Sequence, residues 1–155
     1  MTSWRRLATP ALLLMAPVAF FADVCLRGRA FLLRDLFSWF FPWRDLARQS
    51  LAAGELPLWN PWSYMGTPFL ANMQSGLLYP LNAVFWIASF PTAMRLFVVM
   101  QFALTALLMH ALLRALGCRP AAALTGALGY AFSGWMLVHL EFRAQKRWVG
   151  VGFRG

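Results

Sequence analysis

The chain has 155 residues, 61% of them hydrophobic and only 12% charged, with a mean hydropathy of +0.59. Soluble domains carry roughly 45–50% apolar residues, so this composition excludes an ordinary soluble domain and points to an integral membrane protein. The formal net charge of +9 comes from arginines scattered at the edges of hydrophobic runs, where they anchor helices at a lipid surface. No clustered basic module argues for nucleic acid.

The first hydrophobic run, Leu7 to Leu26, has about the 20 residues a membrane span needs. Arg5 and Arg6 precede it; Arg27 and Arg29 follow it. A signal peptide is the competing reading, but Phe20 and Phe21 spoil a small-residue cleavage site before Asp23, and "ADVC" lacks the apolar start of a lipoprotein box. A retained helix is expected, bent by Pro10 and Pro17.

The segment "FLLRDLFSWFFPWRDLARQSLAAG" predicts an interfacial helix. Pro42 suits a first helical turn and Gly54 a C-terminal cap. Leu46, Ala47 and Leu51 form an apolar stripe. Phe37, Trp39, Phe40, Phe41 and Trp43 suit the headgroup layer, where a ring has one wet and one oily side.

The next stretch, "GELPLWNPWSYMGTPFLANMQSGLLYPLN", contains Pro57, Pro61, Pro68 and Pro80. These prolines deny it continuous helix or central strand, and "WNPW" and "MGTP" read as turns. Leu81 to Phe90 is too short to span and reads as an interfacial or re-entrant piece. Thr92 to Leu116 is the second predicted span. "GCRP" is a tight connection, and Ala121 to Leu140 is the third span, whose small residues permit close helix approach.

All-α membrane architecture follows: spans near 7–26, 92–116 and 121–140, with an outer loop over 27–91. The positive-inside tendency puts Arg5 and Arg6 inside, with Arg114 and Arg119 at the inner turn. The basic tail over 141–155, with Arg143, Lys146, Arg147 and Arg154, then falls outside, against that tendency. Truncation or a frameshift is the expectation for this tail. Cys25 and Cys118 lack any metal-ligand or disulfide-framework spacing.

The central stretch resembles a signature of the YfhO-like bacterial membrane proteins, which belong with the GT-C-type glycosyltransferases. The matching elements are Asp35, Pro42, Gly54–Pro61, Gly66–Pro68, Leu70–Gly76 and Tyr79–Asn82. "LGCRPAAALTGALGYAFSG" is similar to the family's second and third helices with their short turn. The resemblance spans about Leu7 to Leu140. It implies the N-terminal piece of a partial GT-C-like bundle in the bacterial inner membrane, with its long loop extracytoplasmic and the piece inactive alone. The implied partners are membrane lipids and a polyprenyl-phosphate-linked sugar, passed to an extracytoplasmic acceptor. A divalent ion helps some such enzymes, yet no ligand cluster here argues for one. A non-catalytic membrane scaffold or inactive remnant is the alternative; a transporter lacks the paired intramembrane charges it would need.

By the same resemblance Asp35 is the general base, since an attacking hydroxyl must lose a proton. Its bland alternative is an ion pair with Arg34 or a helix cap. Arg34 and Arg44 are candidates for the donor phosphate, because guanidinium forks match phosphate oxygens; headgroup anchoring is the other reading. Trp59, Asn60, Asn72, Gln74 and Tyr79 are candidates for a sugar pocket, where rings stack on C–H faces and amides bond hydroxyls. Asn60 and Asn72 equally suit a role holding turns. Asp45 is expected to face water beside Arg48, and Asp23 either acts or snorkels to the interface. A lone His110 in the second span reads as a packed residue.

Overall fold

The computed structural model describes residues 3–27 and 40–139. These are mostly helical: α1 (Ser3–Phe20), α2 (Ala22–Leu26), α3 (Phe41–Ala52), α4 (Val84–Ile87), α5 (Phe90–Ala115), α6 (Pro120–Ala131) and α7 (Gly134–His139). The helix expected between Pro42 and Gly54 is α3, with Pro42 in its first turn and Gly54 just beyond its end at φ +76°.

Among the described residues one helix, α5, is by itself long and apolar enough to cross a membrane. Its 26 residues measure about 39 Å at 1.5 Å per residue. It begins at Phe90, two residues ahead of the predicted start, because Pro91 fits the first turn, where no N–H partner is needed.

The other two expected spans are not single helices. The first starts at Ser3 and is interrupted at Phe21, where φ −93° and ψ 12° leave the helical region. Both flanking bonds survive, Phe21 N–H to Pro17 and Cys25 N–H to Phe21, so this is a kink. It falls one turn after Pro17, where the buried Phe21 ring sets edge-on against Phe102 at 5.0 Å. The third expected span stops at Ala131 and resumes at Gly134. Ser133 causes the break: its N–H turns back to Tyr130, and its hydroxyl accepts from the Met136 N–H. A hydroxyl that competes for backbone donors starts a new helix. The predicted end at Leu140 lies outside the described residues, as does the basic tail.

Both broken helices run antiparallel to α5. Leu13, Ala106, Ala127 and Ala131 form one buried cluster. Further along, Phe20 and Phe132 meet at 5.0 Å, and Phe132 and Phe102 at 5.7 Å. Val24, Cys25, Met136 and Leu137 then pack on the cluster of Phe21, Phe85, Met94 and Val98. On α6 the buried residues are Ala123, Ala127 and Ala131, one every four positions. A stripe of methyls lets the α5 and α6 backbones approach closely.

Between α3 and α4 lies a proline-braced cap. Trp59–Asn60 pairs antiparallel with Thr67–Pro68, a strand too short and too peripheral for Pro68 to disturb. Two 3-10 turns follow, Met73–Ser75 and Pro80–Ala83. The cap has its own small core of Trp43, Ala47, Phe69 and Leu77, with Leu46 and Leu51 of the predicted stripe against it.

Candidate functional site

Asp35 and Arg34 lie outside the described residues. The structure places the other candidates in three separate local arrangements.

The first is the hairpin. Asn60 is buried; its Oδ1 accepts from the Trp62 N–H at 3.0 Å and its Nδ2 donates to Ser63 Oγ at 2.9 Å. Asn60 therefore holds a turn, which passes through Tyr64 and Met65 at φ 50° and 64°. Left-handed backbone at non-glycine residues costs of order 1–3 kcal/mol each, and the buried asparagine helps to impose it. Trp59 lies over Gly66: a Cβ built there would come within 2.6 Å of Trp59 Cζ2, and φ is +114°. Only glycine meets both demands. Asn60→Ala is expected to destabilise the turn by about 0.5–1.5 kcal/mol, because the part-buried Trp62 N–H loses its acceptor. Faster amide hydrogen exchange at Trp62 measures this.

The second arrangement surrounds Arg44. Its guanidinium donates to the Ser75 carbonyl and lies 5.2 Å from the centre of the Phe85 ring. Burial pushes its pKa down to about 10. Among the described residues no carboxylate pairs with it. Asn82, also buried, donates from Nδ2 to the Gly76 carbonyl, while its Oδ1 has no partner among the described residues. Arg44 and Asn82 thus fix successive carbonyls of one turn, Ser75 and Gly76. Ahead of that turn, Asn72 Oδ1 accepts from the Gln74 N–H at 3.0 Å, and the Gln74 side chain is exposed.

The third arrangement ties the cap to α5. Tyr79 Oη donates to Gln101 Oε1 at 2.7 Å, and its ring meets Phe97 at 6.2 Å. Asp45 accepts from Gln49 at 2.7 Å, and Asp23 pairs with Arg27 at 2.7 Å. His110 Nε2 is buried without a hydrogen-bond partner among the described residues. Those residues contain no group of three or more His, Cys, Asp or Glu placed to hold a metal ion.

Chemically, the cap's polar side chains act on its own backbone. Asn60, Asn72, Arg44 and Asn82 satisfy turn groups that a segment without helix or sheet would otherwise leave unpaired. Sequence reasoning singled out three of these four for a ligand and passed over Asn82, Ser75 and Gln101. The available signal was their spacing: each lies within or opposite a run whose prolines remove backbone donors. No family model, curated protein or solved structure matches the chain.

Proposed function

We propose that this chain is an N-terminal, membrane-embedded piece of a YfhO-like, GT-C-type glycosyltransferase. The whole protein would transfer a sugar from a polyprenyl phosphate to an extracytoplasmic acceptor at the bacterial inner membrane. Three crossing segments are proposed: α1–α2, α5 and α6–α7. Each outer segment covers at least about 30 Å at 1.5 Å per residue, which matches the hydrocarbon thickness. Exposed leucines and methionine on these helices, Leu12, Met15, Leu108 and Leu112, suit lipid contact. Arg114 and Arg119 beside the Gly117 turn give that end its cytoplasmic character.

One observation supports the catalytic reading most directly. The chain that carries Arg34 and Asp35 leaves after α2 and returns at α3, and both flanks are pinned at the same end of α5. Val24 and Cys25 pack on the Met94–Val98 cluster, and the Phe41 ring meets Phe90 at 4.8 Å. The proline-braced cap is fixed to that end too. In the proposed reaction, Asp35 takes the proton of an acceptor hydroxyl. The hydroxyl oxygen bonds to the anomeric carbon, the bond to the phosphate oxygen breaks with inversion, and the polyprenyl phosphate departs with the electron pair.

When this segment is part of a longer polytopic protein of the family, Asp35→Asn is expected to lower transfer of labelled sugar by about 10²–10⁴-fold. Membrane insertion should be unchanged. Unaltered transfer would remove Asp35 from this role. The second reading, a non-catalytic membrane scaffold, draws on the engagement of Arg44, Asn60 and Asn72 by the cap's own backbone.

A further inference from the structure

The hydrogen bond from Tyr79 to Gln101 fixes how far the cap reaches along α5. Arg95 bonds back to the Pro91 carbonyl at 3.2 Å and to Thr92 Oγ1 at 3.0 Å. A long cationic side chain folded toward its helix's end in this way marks the edge of the hydrocarbon layer. At the other end, Arg114 reaches the Cys118 carbonyl at 2.6 Å. From Arg95 to Arg114 is about 28 Å at 1.5 Å per residue, close to the thickness of that layer. Gln101 lies about 9 Å inside Arg95 on the same scale. The Tyr79 side chain therefore reaches a level well within the span. From there the chain climbs back along α5: Phe85 contacts both Phe97 and Phe90 before the helix begins.

Two features say what covers this descending piece. Leu78, beside Tyr79, is 85% exposed. The α5 face below Gln101 continues through Thr105 to Leu108 and Leu112, and both leucines are exposed. The polar groups here satisfy one another: Tyr79 Oη donates to Gln101 Oε1, and Thr105 Oγ1 donates to the Gln101 carbonyl at 2.8 Å. Hydroxyls that are internally paired beside exposed leucines suit acyl chains rather than water.

We propose that Leu77 to Ile87 is a re-entrant arm inserted in the outer leaflet, with lipid acyl chains covering Leu78. This rests on the reading of α5 as a membrane span. The cap is then a wedge within the leaflet as well as a cover above it.

The test uses the full chain with Cys25→Ala and Cys118→Ser, reconstituted in phosphatidylethanolamine/phosphatidylglycerol vesicles. Single nitroxides are placed at L78C, L108C and M65C, and relaxation by oxygen is compared with relaxation by a water-soluble nickel chelate. Leu78 should favour oxygen as Leu108 does, with Met65, at the tip of the hairpin, serving as the outer reference. If Leu108 is in lipid and Leu78 meets the nickel chelate, the arm is overturned and the span stands. Shielding of Leu78 from both reagents means protein covers it, which also overturns the arm. Nickel access at Leu108 removes the span and the arm together. A benzophenone amino acid at Leu78 gives a second readout: cross-linked phospholipid is expected, and its absence beside a lipid adduct at Leu108 counts against insertion.

Discussion

Ala127→Leu is expected to unfasten α6 from α5. Ala127 is fully buried with Leu13, Ala106 and Ala131, in a contact made by methyl groups. Nearby, a Cβ on Gly126 would already stand 2.7 Å from Leu113 Cδ1. Three further carbons cannot enter without moving a helix, and overpacking of this kind costs about 1–3 kcal/mol. In membranes this packing matters more than apolar character, because lipid is as apolar as leucine. Ala122→Leu, on the exposed side of the same helix, adds the same carbons and should stay within about 0.5 kcal/mol. Thermal unfolding in detergent, followed by thiol labelling, separates the two. Equal loss in both variants would show that helix composition, rather than the α5–α6 contact, sets stability.

Arg44→Met should loosen the cap while leaving α1, α5 and α6 packed on one another. The methionine keeps much of the apolar stem but removes the donor to Ser75, whose carbonyl belongs to a buried residue. An orphaned buried acceptor costs about 1–3 kcal/mol. Arg44→Lys keeps the charge and loses the planar face over Phe85, so an intermediate loss is expected. Limited proteolysis within 54–82 measures the order wild type, Lys, Met. The effect should not depend on pH in the physiological range. Burial puts the folded pKa at about 10, below its value in the unfolded chain. The folded state thus releases its proton first, and stability gains from this group only as pH rises above about 10. Below that window Arg44 is charged in both states. A proteolysis rate that changes between pH 6 and 8, to take about two units inside the range, would point to another group.

Some of this was legible in the residues. Pro42 and Gly54 bracket α3 within one or two positions. The run from Thr92 and the turn at "GCRP" gave α5 and the start of α6. These are local matters, decided by a missing N–H or a left-handed residue. The kink at Phe21 and the break at Ser133 were not legible, because hydropathy counts apolar residues and does not register a ring seated on Phe102 or a hydroxyl turned to the backbone. The polar residues of the cap show the same limit. Their types suit a sugar as well as they suit a turn, and only their partners distinguish the uses.

The sequence by itself determined an apolar, mostly helical chain with a proline-rich interruption, because composition and proline chemistry act residue by residue. The tertiary structure decided where that interruption sits. Tyr79 meets Gln101 and Arg44 meets Ser75 across 22 and 31 positions, and no local propensity encodes a partner so distant in the chain. The first bond seats the cap against α5, and the second ties it to α3.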